Sequence, residues 1–161
     1  MAPFDSYNGG MNWHPDVTVA AVIAREHSFL MVEERIRSRI VFNQPAGHVE
    51  AGESLIDAVI RETREESAWH FTPEALVGIY LWRHPRSGRD TLRFAFAGRL
   101  GGHDPTLALD QPIIATHWLS RAELLARESQ LRTPVVMRCV DDYLSGQRLP
   151  LSAIAEFGVA R

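Results

Sequence analysis

Apolar and β-branched residues come in short runs along the first third of the chain. Val17 to Ala24 (VTVAAVIA) has strand length, Glu26-His27-Ser28 reads as a turn, and Phe29 to Val32 is a second apolar run, so the pattern predicts a hairpin. Ile40 to Asn43 predicts a third short strand that ends at the punctuation Pro45-Ala46-Gly47. The period then changes. From Ser54 onward, Leu55, Ile56, Val59, Ile60 and Thr63 line up on one face at about 100° per residue, which predicts an amphipathic helix. Ser54 suits its N-cap, with Asp57 at the reciprocal third position, much as in a capping box. Leu76 to Trp82 and Leu92 to Leu100 predict two more strands around a turn at His84-Pro85-Arg86-Ser87-Gly88-Arg89, and Ile113 to Leu119 another. Ser120 introduces a short helix with a second S-x-x-E signature, and Pro134 to Leu144 a last helix that stops at Gly146. Strands mixed with three helices, without strict βαβ alternation, predict an α+β fold in which sheet and helices form a sandwich.

Length and composition narrow the class. A chain of 161 residues suits one domain with its own core. Residues 1–15, with Pro3 and Gly9-Gly10, read as a flexible N-terminal arm, and 16–161 as the single domain. The net charge of −3 lacks the basic excess of a nucleic-acid binder. No apolar stretch reaches membrane-span length, and the N-terminus has no signal-peptide pattern, so a cytoplasmic protein with no membrane partner is expected. Cys139, the only cysteine, lies in the apolar run Val135 to Val140 and reads as core packing.

The chemistry is concentrated in the central helix. Glu62, Glu65 and Glu66 stand at i, i+3 and i+4 and are neighbours, whereas Asp57, Arg61 and Arg64 face the solvated side. On the helical wheel Glu66 falls inside the apolar stripe near its edge, Glu62 lies just beyond it, and Glu65 is further round towards solvent. A solvated acidic face explains this poorly. The pairs repel by roughly 0.2–0.5 kcal/mol each. They also occupy the last turns, where the helix dipole disfavours anions by roughly 0.3–1 kcal/mol. A cation that offsets the repulsion is the alternative, and oxygen-only ligands point to Mg²⁺, with Mn²⁺ able to substitute, rather than zinc.

Gly47, Glu53, Arg61, Glu62, Glu65 and Glu66 also fall on the fixed positions of the Nudix box, G-x5-E-x7-R-E-U-x-E-E-x-G-U, where U is aliphatic, so the chain resembles the Nudix hydrolase family. Three box positions depart: Thr63 for the first U, Ala68 for the closing Gly and Trp69 for the last U. The family's Gly lets the helix end in a left-handed turn, which costs Ala about 1–2 kcal/mol. Either Ala68 is strained or the helix exits differently. Val17-Thr-Val-Ala, Asn43-Gln-Pro-Ala-Gly-His, Leu131-Arg-Thr-Pro and Ser145-Gly-Gln-Arg-Leu-Pro-Leu make the wider chain similar to one branch, the NudJ-type phosphatases.

The resemblance implies a Nudix fold, a mixed sheet between helices. It also implies an enzyme that hydrolyses phosphoanhydride bonds of nucleoside di- and triphosphates and of thiamine-pathway pyrophosphates, releasing inorganic phosphate. Metal would be held by Glu62, Glu65, Glu66 and the Gly47 carbonyl. Arg61 would brace the loop or a ligating glutamate, unless it is a surface partner of Glu65. Glu53 would anchor the loop or assist proton transfer. Glu62 is the favoured general base and Asp110 the outside candidate. Trp82 could stack on a substrate ring, with Tyr80 pointing the same way, and Arg93 could grip a phosphate. The alternatives are a pyrophosphatase for ADP-ribose or dinucleoside polyphosphates and, from another class, a nucleotide sensor without turnover. The partner is a small di- or triphosphate, and the protein is expected to act as a monomer or homodimer.

Overall fold

The computed structural model describes residues 13–159. In chain order the elements are β1 (Asp16–Val22), β2 (Ala24–Arg25), β3 (Ser28–Ile36), β4 (Arg39–Asn43), β5 (Ala46–His48), α1 (Leu55–Ser67), β6 (Trp69–Arg83), β7 (Asp90–His103), β8 (Ile113–Ser120), α2 (Arg121–Ala126), α3 (Pro134–Leu144) and β9 (Leu149–Pro150). The N-terminal arm expected at 1–15 lies, for residues 1–12, outside the described residues.

The strands form two sheets rather than one. The larger runs β5-β1-β7-β6-β9, and the smaller joins β2, β4 and β8 to β3. β1 and β7 are parallel and their neighbours antiparallel, so the larger sheet is mixed. Alternation along β1 divides the core. Val19, Ala21 and Ile23 pack with Leu55, Ala58 and Val59 of α1, whereas Val22 packs with Val136 and Val140 of α3. The two helices thus cover opposite faces of the larger sheet, and Cys139 is buried beneath α3, as expected of a packing residue.

Three details differ from the sequence expectation. Ala46–His48 pairs with β1 as a short edge strand, where the Pro-Ala-Gly run reads as a plain turn. β6 and β7 are several residues longer than their apolar runs, because their hairpin stays paired as far as Trp69 opposite His103. β9 is formed by Leu149 and Pro150, both exposed, and has no hydrophobic pattern to reveal it. It exists because β6 offers it a free edge at Ala75 and Leu76.

Candidate active site

α1 begins much as its sequence indicates. The Ser54 hydroxyl accepts from the Asp57 amide at 3.0 Å, and it donates to the Asp57 carboxylate at 2.7 Å, so the pair closes through its side chains. The adjacent Leu55 amide is taken by the Glu156 carboxylate from the tail, at 2.8 Å. At the other end Ala68 adopts φ 59° and ψ 13°, and its amide donates to the Arg64 carbonyl. The left-handed exit is therefore kept with an alanine, at the steric cost that glycine avoids. Thr63 is fully buried and its hydroxyl donates to the Val59 carbonyl one turn back.

Arg61 is the hub of the acidic helix. Its guanidinium donates to both oxygens of Glu53 at 2.8 and 2.9 Å, to Glu62 at 2.8 Å, to Glu65 at 3.0 Å and to the His48 carbonyl at 3.0 Å. It braces both the loop and the glutamates, and the i,i+4 pair with Glu65 is one strand of that brace. The fork geometry suits arginine alone. Arg61 holds the Glu53 carboxyl below its ordinary pKa, and Glu53 in turn accepts from the Glu50 amide.

Side-chain exposure ranks the glutamates as the wheel does: 13% for Glu62 against 38% for Glu65. Burial pushes the Glu62 carboxyl up against the pull of Arg61. It pushes Glu66 up to about 8, with Glu34 and Glu62 nearby adding repulsion and the Ala46 amide, 2.8 Å away, opposing it. A Cβ at Gly47 would lie 2.1 Å from the Glu62 carboxylate, so the missing side chain leaves room for that carboxylate to sit against the loop.

Among the described residues no three His, Cys, Asp or Glu side chains converge as a ready metal-ligand set. Arg61 takes Glu53, Glu62 and Glu65, and the Ala46 amide takes Glu66. The donor chemistry still fits a hard cation. The carboxyls of Glu62 and Glu66 are buried together where negative charge is penalised, and a divalent ion would relieve that penalty.

Gly47, Glu62, Glu66, Trp82 and Arg93 line one cleft of about 1530 Å³. Arg93 is buried, its guanidinium donating to the amide oxygens of Asn43 and Gln44 at 3.2–3.4 Å with the Cys139 thiol also beside it, and burial lowers its pKa. A guanidinium held by neutral groups keeps most of its charge for an incoming anion. Trp82 is half-buried, edge-on to His84.

Tyr80 points with Trp82 and both line a smaller hollow beside α3, where the Tyr80 hydroxyl donates to Asp142 at 2.9 Å; of the two, Trp82 also lines the cleft. Burial and the Asp142 carboxylate push the Tyr80 pKa up. Asp110 is exposed and outside the lining of the cleft; its amide donates to the Glu65 carbonyl. Arg148 lies against the Tyr143 ring, 3.7 Å from its centroid.

Sequence reasoning missed Thr18, Glu34, Arg132 and Thr133, which also line the cleft. Glu34 carried a signal: it continues the Leu30, Val32 alternation and so falls on an inward position of β3.

With this geometry in place the family can be stated. The NUDIX domain model matches residues 14–139, and the chain belongs to the Nudix family. It is a hydrolase of phosphoanhydride bonds. Phosphatase NudJ of Escherichia coli (strain K12) is 41% identical over 143 residues, covering 89% of this chain and 92% of the relative, and Phosphatase NudJ of Shigella boydii serotype 4 (strain Sb227) matches equally. Among solved structures, a Nudix hydrolase from Nitrosomonas europaea superposes with a TM-score of 0.88 at 44% identity, over 91% of this chain and all of that one. A MutT Nudix hydrolase from Burkholderia pseudomallei, at 20% identity and a TM-score of 0.68 over 81% of this chain and 98% of the other, shares the fold. No helix among the described residues is long and apolar enough to cross a membrane.

Proposed function

We propose that residues 16–161 form one catalytic domain, a Mg²⁺-dependent phosphatase of nucleoside di- and triphosphates and of thiamine-pathway pyrophosphates, acting in the cytoplasm. The observation that carries the reading is the partial burial of Glu62 and Glu66 beside Gly47 in the same cleft as Arg93, whose partners are neutral. The similarity to the NudJ phosphatases supports the release of inorganic phosphate.

Glu62, Glu65, Glu66 and the Gly47 carbonyl would hold the metal, which when bound neutralises the phosphates and lowers the pKa of water. Arg61 orients Glu62 and Glu65 and fixes the loop through Glu53. Glu62 is the proton acceptor we favour, because burial has already raised its affinity for a proton. Arg93 pairs with a phosphate, and Trp82 offers a flat face to the organic end without reading its edges.

The alternative for the same cleft is a pyrophosphatase of ADP-ribose or dinucleoside polyphosphates, which differs in its products. A substrate panel with Mg²⁺, read by phosphate assay and chromatography, separates the two. Inorganic phosphate from ADP supports the phosphatase, whereas two phosphorylated organic products from ADP-ribose, without phosphate release from ADP, support the alternative. Full turnover in excess EDTA would remove the metal from both.

A further inference from the structure

Three buried side-chain oxygens among the described residues have no hydrogen-bond partner: Thr18 Oγ1, Glu34 Oε1 and Thr133 Oγ1. All three residues line the same cleft, although they come from β1, β3 and the start of α3. Buried polar atoms are almost always paired, so three unpaired ones lining one cleft call for a partner there, a water or a group of a bound ligand. The wall is held in place. Arg132 donates to the other oxygen of Glu34, and Thr18 stands opposite Arg93 in the β1–β7 register. Thr133 is the N-cap of α3, yet its hydroxyl makes no capping bond.

We propose that Glu34, flanked by Thr18 and Thr133, determines specificity: its free oxygen accepts a hydrogen bond from an N–H or O–H donor on the organic part of the substrate. A carboxylate offers only acceptors and repels phosphate oxygens, so a donor-bearing group is its complement. The Arg132 guanidinium on its other oxygen offsets its charge, which makes it a poorer ligand for a hard cation than Glu62 or Glu66. The organic end is also within reach. Trp82 belongs to the row Asp16–Thr91–Trp82, one row along the sheet from Thr18 and Arg93. Thr18 and Trp82 are two residues and two strands apart, about 12 Å, the scale of a nucleoside. A ring against Trp82 can therefore turn a polar edge towards this wall. The inference rests on the phosphoanhydride-hydrolase reading of the cleft, and it predicts a preference among substrates that have the same phosphates.

The test compares pairs that differ in one donor: ADP with purine riboside diphosphate, which lacks the amino group, CDP with pyrimidin-2-one riboside diphosphate, which also lacks it, and ADP with 2′-deoxy-ADP. Wild type should favour the donor-bearing member of at least one pair by about ten- to hundredfold in kcat/KM. Glu34→Gln should shrink that ratio to about threefold or reverse it, since an amide can turn a donor to the cleft. Thr133→Val serves as a second variant. It should narrow the same ratio with little change in Tm, because no cap bond is lost. Equal loss on every substrate, or a raised Mg²⁺ requirement with unchanged ratios, would show that Glu34 is structural or a metal ligand and overturn the proposal. So would a wild type indifferent to all three pairs. Calorimetric binding of the α,β-methylene analogues of the same pairs reads the preference without turnover. Intact discrimination in binding with no hydrolysis of any substrate would sink the catalytic reading and leave this one standing.

Discussion

Glu66→Gln separates the cost of a buried carboxylate from its use. In the folded, metal-free protein burial raises this carboxyl from the ordinary 4.5 to about 8. A carboxyl raised in this way favours the folded state while protonated. Its contribution is fully present below pH 4.5 and is lost as the pH rises from 4.5 to about 8. At pH 7 the difference between the two values corresponds to a penalty of about 3 kcal/mol. Glutamine keeps an oxygen for the Ala46 amide and carries no charge, so it should recover much of that penalty. For a chain of this size a gain of about 1–3 kcal/mol corresponds to a rise of roughly 2–10 °C in Tm. Thermal melts in EDTA should therefore show the variant above wild type at pH 8.5 and level with it at pH 5. Activity should move the other way under the metal role proposed for Glu66, with kcat falling by at least about a hundredfold. A variant that melts below wild type at pH 8.5 in EDTA, or that retains turnover, would refute the reasoning.

Gly47→Ala places a methyl group on the Glu62 carboxylate, 2.1 Å from its atoms, and should cut kcat by about tenfold or more while the fold survives, because the obstructed group is the end of a flexible side chain; near-normal turnover would show that Glu62 needs no fixed seat. Ala68→Gly relieves about 1–2 kcal/mol of left-handed strain but forfeits about 0.8 kcal/mol of methyl burial and about 0.4–1 kcal/mol through the freer unfolded chain. Denaturant melts should thus place it within about 1 kcal/mol of wild type, and a loss of about 2 kcal/mol would contradict the left-handed exit seen at φ 59°. Trp82→Ala should raise KM for several nucleotides by similar factors with kcat largely intact, and a selective effect on one base would mean that Trp82 does more than stack.

The acidic helix was legible before any fold was known, because its information is local. A wheel through Leu55, Ile56, Val59 and Ile60 sets one face, and the placement of Glu62, Glu65 and Glu66 relative to that face follows from the helical repeat. The burial order of the glutamates then needs no tertiary contact. The caps at Ser54 and Ser120 are equally local, since each bonds within three residues of itself. The fate of Ala68 was not legible: the departure from glycine was visible, but two exits remained open. The alanine keeps the left-handed exit in a setting where its carbonyl accepts from the Asp104 amide, at the far end of β7 from the hairpin turn.

The sequence alone thus determined the main strands, the helix that carries the acids and the family, since all three depend on spacing within a few turns or on a fixed run of residues. Tertiary structure decided which distant residues share a wall. Tyr80 and Trp82 point the same way from one strand and share the hollow beside α3, where Tyr80 is tied to Asp142, but Trp82, near the strand's end, also borders the cleft. Thr18, Glu34, Arg93 and Arg132 are separated by tens of residues and meet only through the β1–β7 register and the closure of α3 onto Gln44. No local period encodes such a meeting. It follows from strand register and helix packing, in which many weak contacts across the whole chain are satisfied together.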